Sequence, residues 1–162
     1  MAKAPDPFHP VNDEARTLAR NLLRCPHAAL AYTDASSSAP GISRIAFGLG
    51  ADDVPITLIS SLAAHTAGLR AQPLCAVMLG EPGEQGDPLT HPRLMISAVA
   101  EFVAPDDPDR PALRARWLSD HPKSKLYVDF SDFWFVRLRP LHAVLNGGFG
   151  KAFRMEPSDL FI

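Results

Sequence analysis

The chain has 162 residues, 46% of them apolar, and a formal net charge of −2. That supplies one domain with a core of its own and excludes a disordered chain. The charge balance offers no basic surface for nucleic acid, and no apolar run approaches the roughly 20 residues of a membrane span.

Residues 1–11 contain Pro5, Pro7 and Pro10 and read as an extended arm ahead of a single domain over 12–162. The start lacks the apolar stretch of a secretory signal. Asn12 or Asp13 caps a helix predicted to reach about Arg24, with Ala15, Leu18, Ala19, Leu22 and Leu23 on one stripe. Strands are predicted over 27–33 and 41–48. The second puts Ile45 and Phe47 on one face and Ile42, Arg44 and Ala46 on the other. A third strand, 55–59, runs into Ser60 and Ser61, either of which can cap a helix over 62–72 that Pro73 stops. Residues 74–79 form a continuous apolar strand, 80–92 a loop, 93–103 a long strand and 106–120 a second amphipathic helix. The segment 123–130 is ambiguous. Residues 132–139 alternate, with Phe133, Phe135 and Arg137 opposite Trp134, Val136 and Leu138. A last strand, 141–145, leads into the glycine-rich stretch 146–151. Sixteen prolines favour short elements. Strands with interspersed helices, without regular β-α alternation, predict an antiparallel barrel with helices outside.

The segment 55–75 concentrates the chemistry. With Ser61 as cap, Ser61 and His65 share a helix face, and free amides, two hydroxyls and an imidazole converge. That set suits an anion, phosphate above all. It also describes an ordinary capped helix. Arg44 in a strand interior reads either as half of an exposed salt bridge or as an anion partner. It reaches the same anion if its strand lies beside 55–59. The stretch Asn146–Lys151 fails the phosphate-loop spacing, because Leu145 and Ala152 stand where glycine and a hydroxyl residue are required. Its glycines make a turn or admit a flat ligand close to the backbone. The six histidines show no metal-ligand spacing, so no metal is assigned. Cys25 and Cys75 sit in or beside apolar runs and read as core residues of a reducing, cytoplasmic setting. The cluster Tyr127, Phe130, Phe133, Trp134, Phe135 reads as core.

Five segments carry a resemblance: SRIAFG (43–48), LISSLAAHTAGLRAQPLCAVMLGEPG (58–83), GDPLTHPRL (86–94), HPKSKLYVDFSDFWFVRLRP (121–140) and LNGGFGKA (145–152). Together they resemble the FMN-binding split-barrel proteins related to pyridoxamine 5′-phosphate oxidase, and most of all the branch holding the haem-utilisation proteins. The resemblance implies a mainly β (α+β) fold, a six-stranded antiparallel split β-barrel with peripheral helices. It implies a homodimer with FMN at the interface, the phosphate held by Arg44, Ser60, Ser61, His65 and Thr66, and Gly148 and Phe149 reaching the flavin from the second subunit. The oxidase has an Arg-Lys pair where this chain has Ala64 and His65, so pyridoxamine phosphate oxidation is not implied. Two functions are: an FMN-dependent oxidoreductase on a small organic substrate, or a non-catalytic flavin- or haem-binding protein, with His91, His121 and His142 as haem candidates. Longer haem-utilising relatives carry an additional C-terminal domain, which this sequence, ending at Ile162, does not show.

Overall fold

The computed structural model describes residues 6–161. Helix α1 (Asp13–Leu22) begins where Asn12 Oδ1 accepts a hydrogen bond from the Ala15 amide at 2.8 Å. There follow β1 (His27–Thr33), β2 (Pro40–Ala46), β3 (Gly48–Leu49), β4 (Pro55–Ser60), α2 (Ala64–Ala71), β5 (Leu74–Leu79) and β6 (Arg93–Phe102). The chain closes with α3 (Arg110–Asp120), β7 (Phe133–Asn146), β8 (Ala152–Met155) and α4 (Pro157–Leu160). The strands form one antiparallel sheet in the order β2-β1-β5-β6-β7-β4-β3, with β8 pairing β7. Thr57 of β4 donates its hydroxyl to the Ala46 carbonyl of β2 at 2.6 Å. This joins the two ends of the sheet order and curls the sheet into a half-barrel.

There are eight strands rather than six. The run expected over 41–48 breaks at Phe47, whose amide bonds the Pro26 carbonyl, and resumes as β3. Residues 133–146 make a single strand: a register shift against Ser97 and Ala98 absorbs Leu141, so Pro140, which has no amide to donate, sits at an irregularity. Strand β8 was not foreseen, because four residues after a glycine turn show too little alternation. Helix α3 starts at Arg110 rather than 106, because the Asp107 carboxylate accepts from the Asp109 amide across Pro108 and holds a turn there.

Two cores result. The larger fills the curl with Leu30, Phe47, Ile96, Leu138 and Leu145, closed by Ala15 and Ala19 of α1. The smaller lies under α3 and holds Ile56, Leu113, Trp117 and Phe135. Strand β7 serves both, since alternate residues face opposite ways. Arg137, 4% exposed, is the buried charge of this strand. It donates to Asp109 at 3.0 Å and to Glu101 and Asp107 at 3.4 Å, so three carboxylates compensate its desolvation.

The outward face of the sheet carries an apolar strip with polar ends. Register places Ile42, Ala31, Ala76, Ser97 and His142 in one row, and Arg44, Ala29, Met78, Met95, Val144 and Arg154 in the next. Ile42 is 78% exposed, Leu74 53% and Met78 45%. His142 stands on the same face, opposite Ser97.

Candidate functional site

Strand β4 ends at Ser60, and the chain turns into α2. Neither serine caps the helix. Its N-cap is Ala63, with no side-chain cap, and the first turn begins at Ala64, two residues later than the sequence suggests. The reason is long-range. Ser60 Oγ donates to the Asp132 carboxylate at 3.0 Å and accepts from the Leu62 amide at 3.2 Å. Ser61 Oγ donates to the Asp132 carbonyl at 3.1 Å and accepts from Trp134 Nε1 at the same distance. The hydroxyls are thus taken up by residues some seventy positions on. Thr66, 1% exposed, donates to the Ser60 carbonyl at 2.6 Å and locks the turn from within.

His65 is half-buried, its ring edge-on to Tyr32 at 6.1 Å. Burial pushes its pKa below the usual value, so near neutral pH it offers an N–H rather than a charge. Among the described residues, the Ala64 and His65 amides have no hydrogen-bond partner, as expected of a helix's first turn. The site therefore offers an anion two amides at the positive end of α2 and the neutral His65 ring.

Arg44 stands apart from this turn in sequence and pairing. Its strand is hydrogen-bonded to β1, while β4 pairs with β3 and β7. The guanidinium lies 3.9 Å from Glu81, which also meets His27 at 3.3 Å, and the side chain is 77% exposed. Such an exposed pair is weak. It leaves Arg44 a weakly paired cation at one end of the row that Arg154 closes at the other.

Gly148 and Phe149 occupy the turn between β7 and β8. Gly148 has φ +128° and Gly150 φ +71°, conformations that favour glycine, and the Gly147 amide closes the hairpin on the Lys151 carbonyl at 2.7 Å. The turn accounts for these glycines. Phe149 projects from it, 93% exposed. The structure thus groups Ser60, Ser61, His65 and Thr66 and leaves Arg44 and the Gly148–Phe149 turn on other elements. Asp132 and Trp134, which hold the turn together, were missed in the sequence, where nothing ties them to Ser60 and Ser61.

The donors present suit a phosphate: amides, an imidazole N–H and an arginine whose only acid partner is distant. The apolar strip of the outward face suits a flat ring.

An antiparallel half-barrel with peripheral helices defines a protein of the split-barrel class. No known family profile matches the chain. Over 114 residues it is 35% identical to the chloroplastic noncanonical heme oxygenase HOZ of Arabidopsis thaliana, covering 70% of this chain and 34% of that protein. The chain thus spans about a third of the length of the curated relative it matches. Among solved structures, the heme binding protein from Mycobacterium smegmatis superposes with a TM-score of 0.80 at 26% identity, over 93% of this chain and 61% of that one. A pyridoxinephosphate oxidase family protein from Clostridium acetobutylicum, at 11% identity, shares the fold with a TM-score of 0.68 over 93% and 100%. A further solved chain, 40% identical, matches over 94% of this chain and 98% of its own length with a TM-score of 0.82. The chain has a split-barrel fold related to the haem-utilisation branch of such proteins.

Proposed function

We propose that the protein is a homodimeric, cytoplasmic FMN-binding oxidoreductase acting on a small organic substrate. The observation that carries this reading is the outward sheet face, where Arg44 is set among the exposed Ile42, Leu74 and Met78. A monomer gains nothing from presenting that surface to water. A second copy laid on it removes the apolar area and encloses a flat ring. The Ala64 and His65 amides and the His65 ring hold the phosphate, with Arg44 supplying the charge and Ser61, its proton given to the Asp132 carbonyl, shaping the turn. Ser60 and Thr66 keep the turn in shape. Gly148 and Phe149 reach the ring from the other protomer. FMN, when bound, supplies the electron-transfer chemistry. The chain binds it, orients it and excludes water.

The test begins with the visible spectrum of the purified protein and its bleaching by NADH or NADPH. Arg44→Ala and Ser61→Ala are each expected to weaken FMN retention. The arginine change acts more strongly, about tenfold or more against a few-fold, because a charge-assisted bond exceeds a neutral one. Equal retention in the double variant overturns the site.

Haem binding is a second reading, favoured by the names of the relatives above and by one observation. Among the three candidate histidines, His91 has both ring nitrogens engaged, by the Gly83 amide at 2.6 Å and the Gln85 carbonyl at 2.9 Å. His121 is bonded through Nε2 to the Phe47 carbonyl at 2.9 Å and stacked on Trp117. His142 is exposed on the outward face. On this reading haemin shifts its Soret band on titration into the protein, and His142→Ala abolishes the shift while His91→Ala and His121→Ala do not.

A further inference from the structure

We propose that the cleft between the start of α3 and the start of β7 binds a small planar aromatic carboxylate, independently of the flavin reading. The cleft encloses about 250 Å³ and is walled by Phe130, Phe133, Trp134 and Phe135, with Arg110 at its edge. That volume lies below the ~300–1,000 Å³ of most ligand pockets and selects a single ring.

Arg110 is the residue that local structure does not explain. It is the first residue of α3, where the helix dipole disfavours a cation. Its neighbouring acids are bonded to other arginines, with Arg110 adding only a through-space attraction to Asp129. Asp129, in the same cleft, is held by Arg114 through two bonds of 2.8 and 2.7 Å. Asp107 and Asp109 serve the buried Arg137. Among the described residues, no carboxylate forms a salt bridge with Arg110. Its guanidinium carbon lies 5.8 Å from the centre of the Phe135 ring, pointing the cation over the aromatic wall.

The walls supply the other half of the recognition. Phe130, though aromatic, is 57% exposed, and stands edge-on to Phe133 at 6.5 Å. A ring entering beside it gains the offset or edge-to-face contacts that aromatic pairs favour. A carboxylate on that ring meets the fork of Arg110 in two parallel bonds, a geometry that an alcohol or amine does not reproduce.

Benzoate is the probe. Titrated into the full chain and followed by amide and arginine Nε–H shifts in NMR, it is expected to saturate, with the largest changes at Arg110, Phe130 and Phe133. Arg110→Gln is expected to weaken binding about tenfold or more, as loss of a charge-assisted pair does, and Arg110→Lys less. Cyclohexanecarboxylate, with the charge but no π face, and benzyl alcohol, with the ring but no charge, are both expected to bind several-fold more weakly than benzoate. Lack of saturation, shifts confined to other surfaces, or unchanged affinity in Arg110→Gln with an unchanged circular dichroism spectrum each overturns the proposal. Arg44→Ala leaves benzoate binding intact if the cleft is separate from the anion turn; a parallel loss in that variant overturns the independence.

Discussion

Replacing Gly68 with alanine is expected to destabilise the protein by about 1–3 kcal/mol, as overpacking does, and, under the proposed function, to reduce FMN retention with it. The direction is opposite to what helix propensity dictates, since alanine inside a helix normally gains about 1 kcal/mol over glycine. Gly68 lies in α2 where the helix crosses β1. A Cβ there would stand 2.5 Å from the Thr33 carbonyl oxygen and 2.6 Å from the Tyr32 ring. The carbonyl belongs to the backbone of a paired strand and cannot step aside. The helix must move, and the Ser60–Thr66 turn moves with it, because Thr66 is bonded to Ser60 through its hydroxyl. Urea denaturation and flavin release measured on the same sample test this. Ala67→Gly, at an exposed position of the same helix, serves as the control and loses only propensity. A Gly68→Ala protein as stable as the wild type would show that α2 is not seated on β1 as described.

Trp117→Ala is expected to cost about 3–5 kcal/mol, in the range of large-to-small changes at a buried aromatic. Trp117 is 1% exposed and is the side chain through which α3 docks. Its ring stacks on His121 at 4.1 Å and meets Phe135 edge-on at 6.0 Å, while Nε1 donates to Ser124 Oγ at 3.1 Å. His121 in turn bonds the carbonyl of Phe47, a residue of the larger core. One substitution therefore empties the smaller core and loosens its tie to the larger. Trp117→Phe keeps the stacking and leaves Ser124 with the Tyr127 hydroxyl at 3.1 Å, so its loss should be well under half as large. The comparison is made by far-ultraviolet circular dichroism in urea, since fluorescence loses a reporter in both variants. Near-equal losses in the two would place the energy in the N–H rather than in the packing.

Much of the architecture was legible in the chain because it is local. The strands expected over 27–33 and 74–79 return as β1 and β5 with the same bounds, though β5 exposes Leu74 and Met78 on one side, and Asn12 caps α1 as its side chain predicts. These signals are carried by residues within one element, so they survive whatever the tertiary structure does. The glycine turn after β7 was read correctly for the same reason: two positive φ values demand the glycines. Cys75 also follows its local setting. Burial pushes its thiol up to about 11, as an apolar strand position implies.

Where two distant segments compete for one group, the chain was silent. Ser60 and Ser61 look like helix caps from their neighbours alone, but Asp132 and Trp134 take their hydroxyls and the helix starts later. Arg137 looks like an alternating surface residue until Glu101, Asp107 and Asp109 fold over it. Arg44 lies on a strand that pairs with β1 along one edge and meets β4 through the Thr57–Ala46 bond along the other. The sequence by itself determined α1, β1, β5 and the turn after β7, since periodicity, caps and turn residues act over a few positions. The tertiary structure alone decided which hydroxyls are spent, which arginine is buried and which face stays apolar and open, because hydrogen-bond partners and burial are set by segments far apart in the chain.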